Sequence, residues 1–306
     1  MPERFLGIDT SNYRTSAAIY NAETGEWVNR GGLLTVPEGA IGLRQSDALF
    51  QHTVRLHEKI EALPQGEVRA IGVSTRPRAV EGSYMPCFLA GESVARSAAH
   101  LLSVPLFTVS HQQGHIAAAA LSAGKLDLLD GEFLAWHLSG GTTELLLVTP
   151  GNKNVNAEKI GGTQDISAGQ LIDRTGNTFG LRFPSGKEID RLSRESDCKE
   201  RFKVKLNGLT FSFSGLENKM HAFYAATGSP ADTAKYVLNC VCSCIVSVTR
   251  EALKQYPGFP VVFSGGVASN AQLRQSCRDF DAVFSPPEFS TDNAMGIAVL
   301  TWLQGE

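Results

Sequence analysis

The chain opens with an apolar run, Phe5-Leu6-Gly7-Ile8, that closes in the small polar residues Asp9-Thr10-Ser11. It returns through Thr15 to Tyr20 toward a polar turn at Glu23-Thr24-Gly25-Glu26. That pattern predicts a β-hairpin with a polar tip. The unit recurs at Phe133-Leu134-Ala135-Trp136-His137-Leu138, Ser139-Gly140-Gly141-Thr142-Thr143 and Glu144-Leu145-Leu146-Leu147-Val148, with a turn at Pro150-Gly151-Asn152. A duplicated module of strand, small polar turn and strand is therefore expected. Between the hairpins, Asp47 to Leu63 and Ala90 to Leu102 carry helical periodicity, whereas Val68 to Ser74 and Pro105 to Ser110 read as strands. Further on, Ala234, Leu238, Val241, Ile245 and Val248 share one face of a helix over Pro230 to Tyr256, and Pro260 to Ser264 reads as a short buried strand. A last helix is predicted from near Asp292-Asn293 to Trp302-Leu303. Alternation of this kind predicts an α/β architecture. No Pro-rich or Gly/Ser-rich linker interrupts it, so a boundary between lobes falls in ordinary structured chain, near Lys125 to Gly131.

At 306 residues and 42% apolar composition, the chain can bury one large core or two moderate ones. The net charge of −3 argues against a self-sufficient nucleic-acid binder and leaves room only for a local basic patch. No run of 18 apolar residues is present, and the N-terminus lacks a charged segment followed by an apolar one. The expectation is a cytoplasmic protein without a membrane partner. The six cysteines lack disulfide density, and the Cys240-x-Cys242-x-Cys244 run lacks C-x-x-C spacing and is expected to be small buried residues on a helix.

Ser139-Gly140-Gly141-Thr142-Thr143 has two glycines between a strand and its return, which lets backbone amides approach an anion that a Cβ would crowd. An ordinary tight turn satisfies the same pattern. Ser264-Gly265-Gly266-Val267-Ala268-Ser269-Asn270 lies between a predicted strand and a helix over Ala271 to Arg278, an order that suits a nucleotide without matching the dinucleotide fingerprint. In His111-Gln112-Gln113-Gly114-His115, with Ser110 as N-cap, both imidazoles fall on one helical face at i and i+4, the spacing of two ligands to one metal or of two polar surface residues. Gln112 stands where a zinc protease needs its glutamate. Asp173, about two turns into a predicted helix, suits ribose hydroxyls or a solvated face equally.

In this order the motifs resemble the TsaD-type tRNA threonylcarbamoyl transferase family, within the actin-like ATPase and sugar-kinase superfamily. The carriers are Gly7-Ile8-Asp9-Thr10-Ser11, His111 to His115, Leu138-Ser139-Gly140-Gly141-Thr142, Ser167 to Asp173, Phe183-Pro184-Ser185-Gly186, Phe211-Ser212-Phe213-Ser214-Gly215-Leu216, Gly265 to Asn270 and Thr291-Asp292-Asn293-Ala294. The resemblance implies an actin-like α/β fold of two lobes, 1–128 plus 293–306 and 129–292, each with a mixed sheet and helices and with the nucleotide between them. By position it implies a catalytic place for Asp9. It implies a divalent metal, iron or zinc, on His111, His115 and Asp292, with magnesium accompanying a nucleotide. Phosphate contacts fall to Leu138, Ser139, Gly140, Gly141 and Thr142, and ribose and adenine contacts to Asp173, Gly186 and Asn270. The implied ligand is an adenine nucleotide (threonylcarbamoyl-AMP, AMP or ATP). The implied reaction moves the threonylcarbamoyl group to the exocyclic amine of the adenosine beside the tRNA anticodon. Partner proteins, a small regulatory one among them, would help to hold the tRNA.

Several positions depart from the family pattern. Asn12-Tyr13-Arg14-Thr15 stands in place of Cys-Asp-Glu-Thr, Thr142 in place of histidine and Gln170 in place of glutamate. The Ser-Arg-x-His that begins a helix is lost around Ser46-Asp47-Ala48-Leu49, and the glycine segment after the central strand reads Arg76-Pro77-Arg78-Ala79-Val80-Glu81-Gly82. These departures point to a divergent paralogue. They keep two other readings open: a carbamoyl transferase or ATPase with another acceptor, and a nucleotide-binding partner without turnover.

Overall fold

The computed structural model of the protein describes residues 3–11, 13–37, 42–286 and 293–306. Its first sheet is built from β1 (Arg4–Ser11), β2 (Arg14–Asn21), β3 (Trp27–Leu33), β4 (Ala70–Arg76) and β5 (Leu106–Ser110), in the order β3-β2-β1-β4-β5. β1 pairs antiparallel with β2 and parallel with β4, so the sheet is mixed. The second sheet holds β6 (Phe133–Leu138), β7 (Thr143–Pro150), β8 (Val155–Thr163), β9 (Leu206–Asn207), β10 (Thr210–Phe211), β11 (Val261–Ser264) and β12 (Ala282–Phe284). Its order, β12-β11-β6-β7-β8-β10-β9, contains the same arrangement: a three-stranded meander whose first strand pairs in parallel with a strand from later in the chain. The duplicated hairpin read from the sequence is therefore a duplicated sheet.

Two helices lie between the sheets. α3 (His111–Ser122) and α9 (Ala294–Gly305) share one cluster with Phe5, Ala70 and Val109 of the first sheet and Phe133, Ala135, Leu146 and Val262 of the second. Packed from both sides, they cannot be amphipathic: Ile116 to Leu121 and Ala294 to Leu300 are buried without a break. On the far face of the first sheet, α1 (Gln45–Glu61) and α2 (Phe88–Leu102) bury Leu56, Ala95 and Ala99 against Ile8, Ile71 and Val73. Opposite them, α7 (Pro230–Gln255) covers the second sheet with Val237, Val241, Ile245 and Val248, which pack near Trp136 and Phe263. By length and composition α7 is long and apolar enough to cross a membrane, but 67% of its most apolar window is buried inside the protein. It is the core helix of the second sheet.

Cys240, Cys242 and Cys244 are buried on α7, and Cys277 is buried nearby. Burial pushes the Cys240 thiol up to about 11 and those of Cys244 and Cys277 to about 12, leaving all three protonated at neutral pH.

Glycines set how closely α9 approaches its neighbours. A Cβ on Gly7 of β1 would overlap the Ala294 carbonyl oxygen, and one on Gly296 would overlap the Gly114 carbonyl oxygen of α3. Backbone cannot move aside as the end of a flexible side chain can. Gly7→Ala is accordingly expected to cost about 1–3 kcal/mol or more; a urea midpoint unchanged from that of the parent protein would contradict this packing.

Candidate functional site

α3 begins where β5 ends. Ser110 caps it by accepting from the Gln113 backbone N–H at 3.2 Å, and the Gln113 side chain accepts from the Ser110 N–H at 2.8 Å, a complete capping box. The cap predicted at Ser110 fixes the helical phase, which brings the His111 and His115 Nε2 atoms within 3.0 Å of each other. Two bare lone pairs would repel at that distance. Either one nitrogen carries a proton toward the other, or both point at a common cation. The spacing is close to the ~3.0–3.4 Å adopted by two nitrogens each ~2.0–2.1 Å from one ion. Burial, reinforced by His111 and His137, holds the His115 imidazole well below the usual histidine range, so the ring is neutral at physiological pH.

Asp9, near the end of β1, faces this pair. It is buried, and its carboxylate accepts from Ser11 Oγ at 2.6 Å and from Ser74 Oγ of β4, while Oδ1 lies 3.3 Å from His111 Nδ1. Burial alone would raise its pKa; the His111 ring and the two hydroxyls outweigh that effect and lower it. Asn293, just before α9, places Nδ2 2.7 Å from His111 Nδ1 and 3.1 Å from the His111 carbonyl oxygen. Both contacts fall on Nδ1 and need opposite proton states: Asp9 accepts from a protonated Nδ1, which leaves Nε2 free as in metal-binding imidazoles, whereas the Asn293 amide donates to an unprotonated one. These residues fit a divalent cation. Asp292 lies outside the described residues, and among the described residues no three His, Cys, Asp or Glu side chains converge as a ready cage.

His137 was read only as part of a strand, yet its buried ring lies 4.8 Å from that of His115, centroid to centroid. Burial, with His111 and Arg78 adding to it, pushes its pKa down to about 3. A histidine inside an otherwise apolar strand was the available signal, since a buried polar residue says more than a buried apolar one.

From His137 the chain runs directly into the glycine turn. Leu138 is fully buried. The Ser139 N–H donates to the Thr142 carbonyl at 2.8 Å, and the Thr142 N–H to Ser139 Oγ at 3.1 Å. A Cβ on Gly140 or Gly141 would meet nothing within 4 Å, so the turn presents an open face. Its other side is fixed against α4 (Ala168–Thr178): Ser167 Oγ donates to the Gly140 carbonyl at 2.7 Å, and Gly169 lets the helix backbone approach it closely.

Asp173, Gly186 and Asn270 gather around α5 (Gly186–Ser193). Asp173 accepts the Ser185 N–H at 2.8 Å, with its pKa raised chiefly by burial. Asn270 donates to Asp190 Oδ1 at 2.7 Å and caps α8 (Ala271–Ser276) by accepting the Leu273 N–H. A Cβ on Gly186 would meet nothing within 4 Å. The structure brings these three together, and it gives Asp173 and Asn270 work in holding α5 that spacing did not reveal.

Loops of the first sheet contact the later part of the chain through the departures from the family pattern. Tyr13 sets its ring edge-on to Phe183 at 5.7 Å. Arg78 donates through Nε and Nη2 to the buried Glu144 at 3.1 and 2.8 Å, and Lys159 pairs with the same carboxylate at 3.1 Å. Glu144, on β7, was not singled out in the sequence.

The fold is that of the actin-like ATPases. HypF in its phosphate- and nucleotide-bound form superposes with a TM-score of 0.64 at 14% identity, over 97% of this chain and 46% of the HypF chain. The profile of the family described as TsaD, tRNA N6-adenosine threonylcarbamoyltransferase, matches residues 52–299, and the chain belongs to that family. A tRNA N6-adenosine threonylcarbamoyltransferase of Kosmotoga olearia is 35% identical over 70% of this chain and 66% of its own length, just under two thirds. One from Sulfurihydrogenibium sp. is 30% identical over 96% of the chain and 88% of the relative.

Removing the charge of Glu144 would leave Arg78 and Lys159 facing each other. Both cations are nearly half exposed, at 44% and 48%, so solvent screens much of the penalty of a broken buried pair. Glu144→Gln is expected to lower unfolding free energy by about 1–2 kcal/mol in denaturant titrations; a change within error would mean that the bridge contributes nothing to stability.

Proposed function

We propose that the protein transfers a threonylcarbamoyl group from threonylcarbamoyl-AMP to the exocyclic amine of the adenosine beside a tRNA anticodon. The observation that carries the reading is the family match over residues 52–299, with the facing His111 and His115 imidazoles inside it. The donor's adenosine is assigned to the region of Asp173, Gly186 and Asn270, and its phosphate to the open Gly140-Gly141 face. The acceptor amine attacks the carbamoyl carbon and AMP departs. Peptide N–H groups of the turn stabilise the negative charge that develops on the leaving phosphate. A divalent metal held by His111, His115 and Asp292 would polarise the donor's oxygen atoms. Asp9 keeps the His111 ring in place. The lobes are taken as 1–128 plus 293–306 and 129–292, and a chain of net charge −3 calls for partner proteins to hold the tRNA.

One feature favours a second reading. The family's two acidic residues after Thr10-Ser11 are absent, and Tyr13 instead packs on Phe183. A related transferase or ATPase with another acceptor would keep the same nucleotide and metal pocket.

Incubating the protein with threonylcarbamoyl-AMP and unmodified tRNA, with and without small partner proteins, is expected to yield threonylcarbamoyladenosine by nucleoside mass spectrometry. Its absence in every combination would leave the second reading. Separately, iron or zinc is expected to raise the thermal midpoint in the presence of AMP, and His111→Ala and His115→Ala to abolish that increment. A metal response identical in both variants would dismiss the histidine site.

A further inference from the structure

Pro77 is flanked by two arginines, and they are treated differently. Arg78 is locked by Glu144 through two of its nitrogens. Arg76, the last residue of β4, pairs through its backbone with Ser110, yet its buried Nε finds no partner among the described residues. A guanidinium has five N–H donors and cannot shed its charge, and a buried donor left unmatched is costly.

The position of Arg76 is informative. Two residues earlier on β4, Ser74 donates to Asp9; across the ladder, Ser110 caps the helix that carries His111. The Pro77 carbonyl accepts the Gln112 N–H at 3.0 Å, tying this corner to α3. Arg76 thus stands where the parallel strands β1, β4 and β5 end, the edge at which open α/β sheets receive ligands. Glu144 is shared by Arg78 and Lys159, and Asp9 is held by Ser11, Ser74 and His111, so both carboxylates described around this corner are already engaged.

We propose that Arg76 binds the carboxylate of the transferred acyl group, and that Arg78, held by Glu144, is the positioning residue that fixes the Pro77 corner. The inference rests on the donor assigned under the proposed function. That donor carries two anionic groups, a phosphate and the threonine carboxylate. The open Gly140-Gly141 turn belongs to the second sheet, whereas Arg76 belongs to the first, with His111 and His115 on the helix between them. A planar guanidinium also matches a planar carboxylate with two parallel hydrogen bonds.

Calorimetric titration of the full chain with AMP, threonylcarbamoyl-AMP and the same adenylate with its carboxylate capped as an amide separates the two anions. The wild-type protein is expected to favour the free acid over the amide by about 10- to 100-fold, the range of a charge-assisted pair. Arg76→Gln is expected to erase that preference while AMP binds as before, which also shows that the variant is folded; Arg76→Lys is expected to retain part of it. A preference that survives in Arg76→Gln overturns the proposal. So does a parallel loss of AMP affinity, which would assign the guanidinium to the phosphate. Wild-type protein that binds AMP without discriminating acid from amide refutes the arginine assignment alone, whereas failure of every adenylate to bind refutes the proposed function with it.

Discussion

Where α9 passes β1 and α3, backbone meets backbone at Gly7 and Gly296 with no room for a side chain between them, and Gly114 leaves space that the Asn293 side chain fills. The end of the chain is thereby clamped to its beginning. Asn293 sits at the start of that clamp, and both it and Asp9, near the end of β1, meet the His111 ring at Nδ1. The histidine pair is placed by packing between sheets as much as by its own helix.

That dependence explains which parts of the site could be read from the chain. The i, i+4 spacing of His111 and His115, the Ser110 cap and the glycine turn are local patterns, and each was legible. The contact of Asp9 with His111 and Ser74 joins residues more than 60 positions apart, and nothing local signals it. Glu144 looked like one polar residue in a half-buried strand; only the return of β4 through Arg78 makes it a bridge. For Asp173 and Asn270 the family resemblance implies ligand contacts, whereas their grip on α5 depends on how three helices meet.

The fold was legible because it is repeated. Both hairpins announced themselves by alternation and polar turns, while β3, β9, β10 and β12 are short, half exposed or edge strands whose pairing depends on neighbours far away in sequence. α7 shows the opposite limit. Its apolar length is enough for a membrane span, and only the second sheet accounts for where those residues go.

The two meanders also differ in one respect. In the first, Ser11 pairs directly with Arg14; in the second, Leu138 pairs with Thr143, which leaves a longer connection. If one ancestral hairpin gave rise to both, the copies diverged at their tips while keeping their ladders. The first tip carries a bulky ring packed on Phe183, and the second is a small, open loop. Tolerance of a substitution at one tip is therefore no guide to its tolerance at the other.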